Sequence, residues 1–189
     1  MPEVSHNQLI TVLTKSCLGA GVVRGVAEDV AGALAQLDGN ELKTCITELC
    51  DALSRFDHKS AVLVTPERHG NTSIISKASL LHHGPSLVEL ATILSDDGKT
   101  LLIEQMDCPN CLQALAKAAS INGKIKETPS GAVFTFQNAE DKTAALPKPA
   151  RAHVDRALWA KLLHYAHATM VPSDAASQAD AGAGDGYND

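Results

Sequence analysis

The segment Met106-Asp107-Cys108-Pro109-Asn110-Cys111 places two thiols one helical turn apart. It lies between an apolar run, Lys99 to Met106, and a stretch with helical spacing from Asn110 to about Ala119. A helix N-terminus favours negative charge, so thiols there ionise more readily and become nucleophiles or soft-metal ligands. Cys108 and Cys111 are therefore the candidate metal ligands, with a redox pair as the other chemical option. One Cys-x-x-Cys leaves a structural zinc site two ligands short, and the ordinary reading is a pair of buried thiols at a helix start.

Other residue groups invite chemistry with less support. His82 and His83 are adjacent, and in an extended segment they would point to opposite faces and could not chelate together. His164 and His167 share a helix face but have no acidic third ligand in register. His167, Ser173, Asp174 and Ser177 contain the side chains of a hydrolase triad, yet triads are assembled from distant segments, and Ser173 or Asp174 serves equally well as a helix stop after Pro172. Ala181 to Asp189 combines Gly182 and Gly184 with Asp185, Asn188 and Asp189. Glycines there allow close backbone approach to a ligand, and the oxygens suit a hard cation, although the spacing matches no calcium loop. The default for such a composition is a frayed end.

Several elements must position these residues. Ser5 caps a first helix with Leu9, Leu13 and Cys17 on one face, stopped at Gly19-Ala20-Gly21. Val22 to Leu37 predicts a second helix with Val23, Val26, Val30, Leu34 and Leu37 inward. Asn40 caps a third, in which Leu42, Cys45, Ile46, Leu49 and Leu53 form the buried stripe. Ser60 to Val64 reads as a strand, Glu67 to Ser73 as loop, and Ser73 to Leu81 is ambiguous. Pro85 suits the first position of a helix through Leu94. Asp96-Asp97-Gly98 turns into a strand ending at Met106, and short strands follow the cysteine helix at Lys124 to Lys126 and Ala132 to Gln137. Pro147 and Pro149 mark a linker before a long helix bearing Val154, Leu158, Leu162 and Tyr165. The fold class is α+β: an N-terminal helical lobe over 1–57, a small mixed sheet with packed helices over 58–170, and a Gly/Asp-rich tail over 171–189.

The 189 residues are 44% hydrophobic and 20% charged, enough apolar material for a self-sufficient core, but only 3% aromatic, so Leu, Val, Ile and Ala must build it. The net charge is −6, and the last nineteen residues carry four acids and no Lys or Arg, which leaves −2 for the other 170. A nearly neutral body lacks the basic stripe needed to bind nucleic acid or acidic lipid. The start has no basic region before its apolar stretch, and no apolar run is long enough to span a bilayer. These features, with five cysteines, an odd number, predict a cytoplasmic protein with free thiols.

Two stretches carry a family resemblance. Gly19-Ala20-Gly21 followed by Gly25-Val26-Ala27-Glu28, and Val171-Pro172-Ser173-Asp174-Ala175-Ala176-Ser177-Gln178 followed by Ala181-Gly182-Ala183-Gly184 and Asn188-Asp189, resemble the uncharacterised bacterial family known as domain of unknown function 3726. Arg24, Asp174 and Gln178 stand where that pattern has Trp, Ser and Arg. The cysteine segment by itself also resembles the Met-x-Cys-x-x-Cys loop of heavy-metal-associated domains, without the final strand of that fold. The first resemblance supplies no reaction. What it implies is a binding or accessory protein in which Gly19, Gly21 and Glu28 meet Ser173, Ser177, Gly182, Gly184, Asp185 and Asp189 around a ligand. A small enzyme acting on a polar metabolite and a thiolate metal-binding protein are the alternatives. The expected partner is a small molecule or a protein subunit, a second copy of the chain included. No cofactor, nucleic acid or membrane is expected.

Overall fold

In the computed structural model, residues 2–60, 64–128, 131–137 and 150–169 are described. A short strand β1 (Glu3–Ser5) runs into α1 (His6–Gly19), where Ser5 forms a capping box: its hydroxyl accepts the Gln8 N–H and the Gln8 side chain accepts the Ser5 N–H. Leu9, Leu13, Ser16 and Cys17 are buried, as the spacing predicts, and Gly21 turns the chain with φ +91. The second helix is shorter than its apolar spacing suggests. It spans α2 (Arg24–Leu34), and Val23 is its extended N-cap, 72% exposed, while Val22 enters the core instead. The Gly21 turn rotates the entry by one residue, so Val23 leaves the stripe. The third helix, α3 (Gly39–Arg55), has Asp38 rather than Asn40 at its N-cap position, without a side-chain cap, and all five stripe residues from Leu42 to Leu53 are buried.

The segment expected to be loop is a hairpin, β2 (Glu67–His69) with β3 (Thr72–Ile75). Gly70 occupies its first turn position with φ +60, the left-handed geometry that a type II′ turn demands. β2 is wholly exposed and carries Glu67, Arg68 and His69, a charged edge that resists pairing with another chain. The next helix, α4 (Leu80–Asp96), begins five residues before Pro85, so Pro85 lies inside it and His82 and His83 occupy its first turn instead of an extended segment. β4 (Thr100–Met106) follows the Gly98 turn and runs parallel to β3, with α4 as the crossover. Then come α5 (Pro109–Ala118), β5 (Asn122–Thr128) and β6 (Gly131–Gln137), the last inserted between β4 and β5 and antiparallel to both. The sheet order is β2-β3-β4-β6-β5.

β7 (Arg151–His153) pairs with β1, and α6 (Arg156–His167) starts from Asp155, whose carboxylate accepts the Ala157 and Leu158 N–H groups. One face of the five-stranded sheet, with Ile75, Leu101, Ile103, Phe134 and Phe136, is buried against α4 and α5; α2 packs behind both and α3 behind α5. α1 lies between α2 and α6. Its seam with α6 is close: Ser16 Oγ donates to the Leu162 carbonyl at 2.7 Å, and a Cβ on Gly19 would sit 1.9 Å from the Tyr165 oxygen. The mixed sheet with packed helices is the expected α+β architecture. Residues 61–63 of the expected Ser60 to Val64 strand, the Pro147 and Pro149 linker and the tail from Val171 onward lie outside the described residues.

Candidate functional site

Adjacent parallel strands end side by side, and the chain leaves them in loops that leave room for a crevice at their carboxyl ends. β3 and β4 form such a pair. Over their ends lies a cleft of about 980 Å³, walled by the end of α3 and the residues after it, the β3–α4 loop, the first turn of α4 and the end of β4. Its floor is apolar, with Ile75, Ala78 and Met106 all buried. Arg55, Lys77, His82, His83 and Asp107 bring charge and hydrogen-bonding capacity to its walls.

The wall is built by contacts that are distant in sequence. Ser79, the N-cap of α4, makes no side-chain cap. Asp107 supplies one from across the cleft, its Oδ1 accepting the Leu80 N–H at 2.9 Å, and the Ala78 N–H donates to the Gln105 carbonyl at 2.9 Å. These two bonds fasten the β3–α4 loop to the end of β4. His83 Nδ1 accepts the Ser79 N–H at 3.2 Å, which selects the tautomer carrying its proton on Nε2. His82 stacks on Phe56 with ring centroids 4.6 Å apart and an interplanar angle of 28°. Burial lowers its pKa below the ordinary imidazole value, His83 adds to that, and Asp107 and Asp57 oppose it. These surroundings favour the neutral ring of His82.

The cysteine pair lies at the neighbouring helix start but is organised differently. Glu48, from the middle of α3, accepts the Asn110 N–H at 3.0 Å, the Cys111 N–H at 3.3 Å and the Asn110 side-chain amide. The positive end of α5 is thus occupied by an internal carboxylate. Cys108 donates its thiol hydrogen to the Glu48 carbonyl and Cys111 to the Cys45 carbonyl. Burial, with the neighbouring thiols, pushes Cys111 well up. At Cys108 the neighbouring Cys111 thiol pulls downward, but burial and the charges of Asp107 and Glu48 prevail and the value rises. All five cysteines are free and buried. Protonated, carbonyl-bonded thiols are the weakly reactive state of cysteine. Among the described residues no group of three or more His, Cys, Asp or Glu side chains could hold a metal ion.

The other candidates fall in separate places. Gly19 faces α6, Gly21 makes the turn after α1 near His58, and Glu28 is ion-paired with Arg24 on the exposed side of α2. None of the three lines the cleft. Ser173, Asp174, Ser177, Gly182, Gly184, Asp185, Asn188 and Asp189 lie outside the described residues. His164 and His167 are exposed on the last turn of α6. The sequence does not mark the cleft, because the Ser73 to Leu81 segment carries no clear period. The one usable signal was the β-branched Thr72 to Ile75 run after a Gly-Asn turn, which with α4 and β4 makes a strand-helix-strand unit.

Residues 4–77 match the family described as Protein of unknown function (DUF3726). The resemblance stands over that stretch, which includes Gly19 to Asp29 and the Arg55 and Lys77 walls of the cleft; the second stretch of the resemblance, 171–189, lies outside it. The match spans well under half of the chain. No curated protein and no solved structure matches the chain. Among the described residues no helix is long and apolar enough to cross a membrane.

Proposed function

We propose that the protein binds a small molecule, and that its site is the cleft over the carboxyl ends of β3 and β4. The observation that carries the reading is the position of that cleft, about 980 Å³ in volume, at the end of a parallel strand pair. In open α/β sheets ligands bind in the crevice outside the carboxyl ends of parallel strands, β3 and β4 repeat that local arrangement within this mixed sheet, and the volume suits an organic ligand of metabolite size. An apolar floor beneath a few polar and charged side chains is the usual make-up of such a site.

A thermal-shift screen of polar metabolites and small fragments tests this. Hits should raise the unfolding temperature of the wild type and lose the effect in Ser76→Trp, an exposed cleft residue whose replacement fills the mouth. Hits of equal size in both proteins would overturn the cleft as the site.

A further inference from the structure

We infer that the cleft is selective for an organic anion, a carboxylate or phosphate ester attached to a planar apolar group. The inference rests on the reading of the cleft as a ligand site and adds the ligand's chemical class. It follows from which of the charged groups on the walls, two acids and two cations, are already engaged. Both acids on the walls are already engaged with backbone: Asp107 accepts the Leu80 N–H, and Asp57 accepts the Lys59 N–H at 2.9 Å. Both cations differ. Arg55, at the end of α3, and Lys77, in the β3–α4 loop, are exposed and make no ion pair or hydrogen bond with a described residue.

Two uncommitted cations on two separate elements favour a ligand bearing negative charge, and Arg55 can take a carboxylate or phosphate through two parallel N–H groups. The rest of the surface asks for something more than an inorganic ion. Ile75, Ala78 and Met106 form a floor with no charge to offer, and the Phe56–His82 stack contributes a flat aromatic wall. A planar ring can lie against such a wall in offset or edge-on contact. A cationic ligand would meet Arg55 and Lys77 and find the Asp57 and Asp107 carboxylates already bonded to backbone N–H groups. A neutral ligand would leave both unused.

The test is an NMR titration of the isotope-labelled full chain with four matched probes, benzoate, phenyl phosphate, benzamide and benzylamine, and with inorganic phosphate. The expected result is saturable shifts of the Lys77, His82 and Asp107 amides with benzoate or phenyl phosphate, and at least ten-fold weaker binding of benzamide, benzylamine and inorganic phosphate. A preference between the first two identifies the anionic group. Arg55→Gln and Lys77→Gln should each weaken the preferred anion by about three- to ten-fold. Both positions are exposed, so the unfolding temperature should hold. Benzamide binding the cleft as tightly as benzoate would overturn the anion inference and leave the ligand site standing. Inorganic phosphate binding as tightly as phenyl phosphate would overturn the apolar half. If no anion shifts any cleft amide while hits from the metabolite screen do, the inference fails alone; if nothing shifts them, both fail.

Discussion

Replacing Glu48 by Ala isolates a helix cap supplied from another helix. Cys108 occupies the N-cap of α5 but makes no side-chain cap, so the Asn110 and Cys111 N–H groups depend on the Glu48 carboxylate, at 3.0 and 3.3 Å. Removing it leaves two partly buried donors and the Asn110 amide without that acceptor. Each buried donor left unpaired costs about 1–3 kcal/mol, and water reaching a half-buried site recovers part of that. The carboxylate itself is strained by its surroundings: burial raises its pKa, and the hydrogen bonds from Asn110 and Cys111 only partly offset this. A net loss of about 2 kcal/mol is expected, about 4–8 °C in unfolding temperature for a chain of this length. Glu48→Gln keeps an acceptor without the charge and should lose under about 1 kcal/mol. A carboxyl whose folded pKa is raised stabilises the fold below its unfolded value of about 4.5 and loses that contribution as pH rises through the folded value. The stability of Glu48→Gln relative to wild type should therefore improve between pH 4 and pH 7. Thermal and urea unfolding across that range provide the assay. An Ala variant within about 1 °C of wild type, or a Gln variant that loses ground as pH rises, would refute the capping account.

Gly19→Ala should destabilise by at least about 2 kcal/mol in urea unfolding, because its Cβ has no space against the Tyr165 carbonyl, whereas Gly25→Ala, with nothing within 4 Å, should be neutral or stabilising by up to about 1 kcal/mol. Equal effects would show that the α1–α6 seam is looser than described. Leu34→Ala and Leu49→Ala, both fully buried, should each cost about 2–5 kcal/mol by the same measurement, and a cost well below 2 would remove them from the core. Burial above all pushes Cys17 up to about 12 and Cys50 to about 11, so a disulfide reagent at pH 8 should label none of the five cysteines quickly in the native protein and all of them in denaturant. Two fast native thiols at Cys108 and Cys111 would restore the metal and redox readings.

Local signals are legible in the sequence and distant ones are not. The Leu42 to Leu53 stripe, the Ser5 cap and the Gly98 turn are written within a few residues of themselves, and all three stand in the structure. Val23 fits the predicted stripe yet lies outside it, because a valine at helical spacing looks the same whether the helix has begun or not. The sequence places the start of α4 five residues late because Pro85 is the stronger local signal, while the residue that caps the true start, Asp107, lies 27 positions away. The same limit applies at the cysteines. Their spacing was legible, but the carboxylate that occupies their helix end comes from Glu48, 62 residues upstream of Asn110. The β1–β7 pair joins segments at opposite ends of the described chain, and neither strand has more than three residues in which to show a pattern. The cleft is assembled from four such separate pieces, so it has no motif to find.

The most direct test of the cleft as the binding site is amide chemical-shift mapping of the full-length protein with the strongest hits from an unbiased metabolite screen. The perturbed amides should cluster at Lys77, His82, His83 and Gln105 to Asp107, around the carboxyl ends of β3 and β4. Perturbations confined to Gly19, Gly21 and Glu28, with the cleft silent, would contradict the account and return the site to the turn after α1.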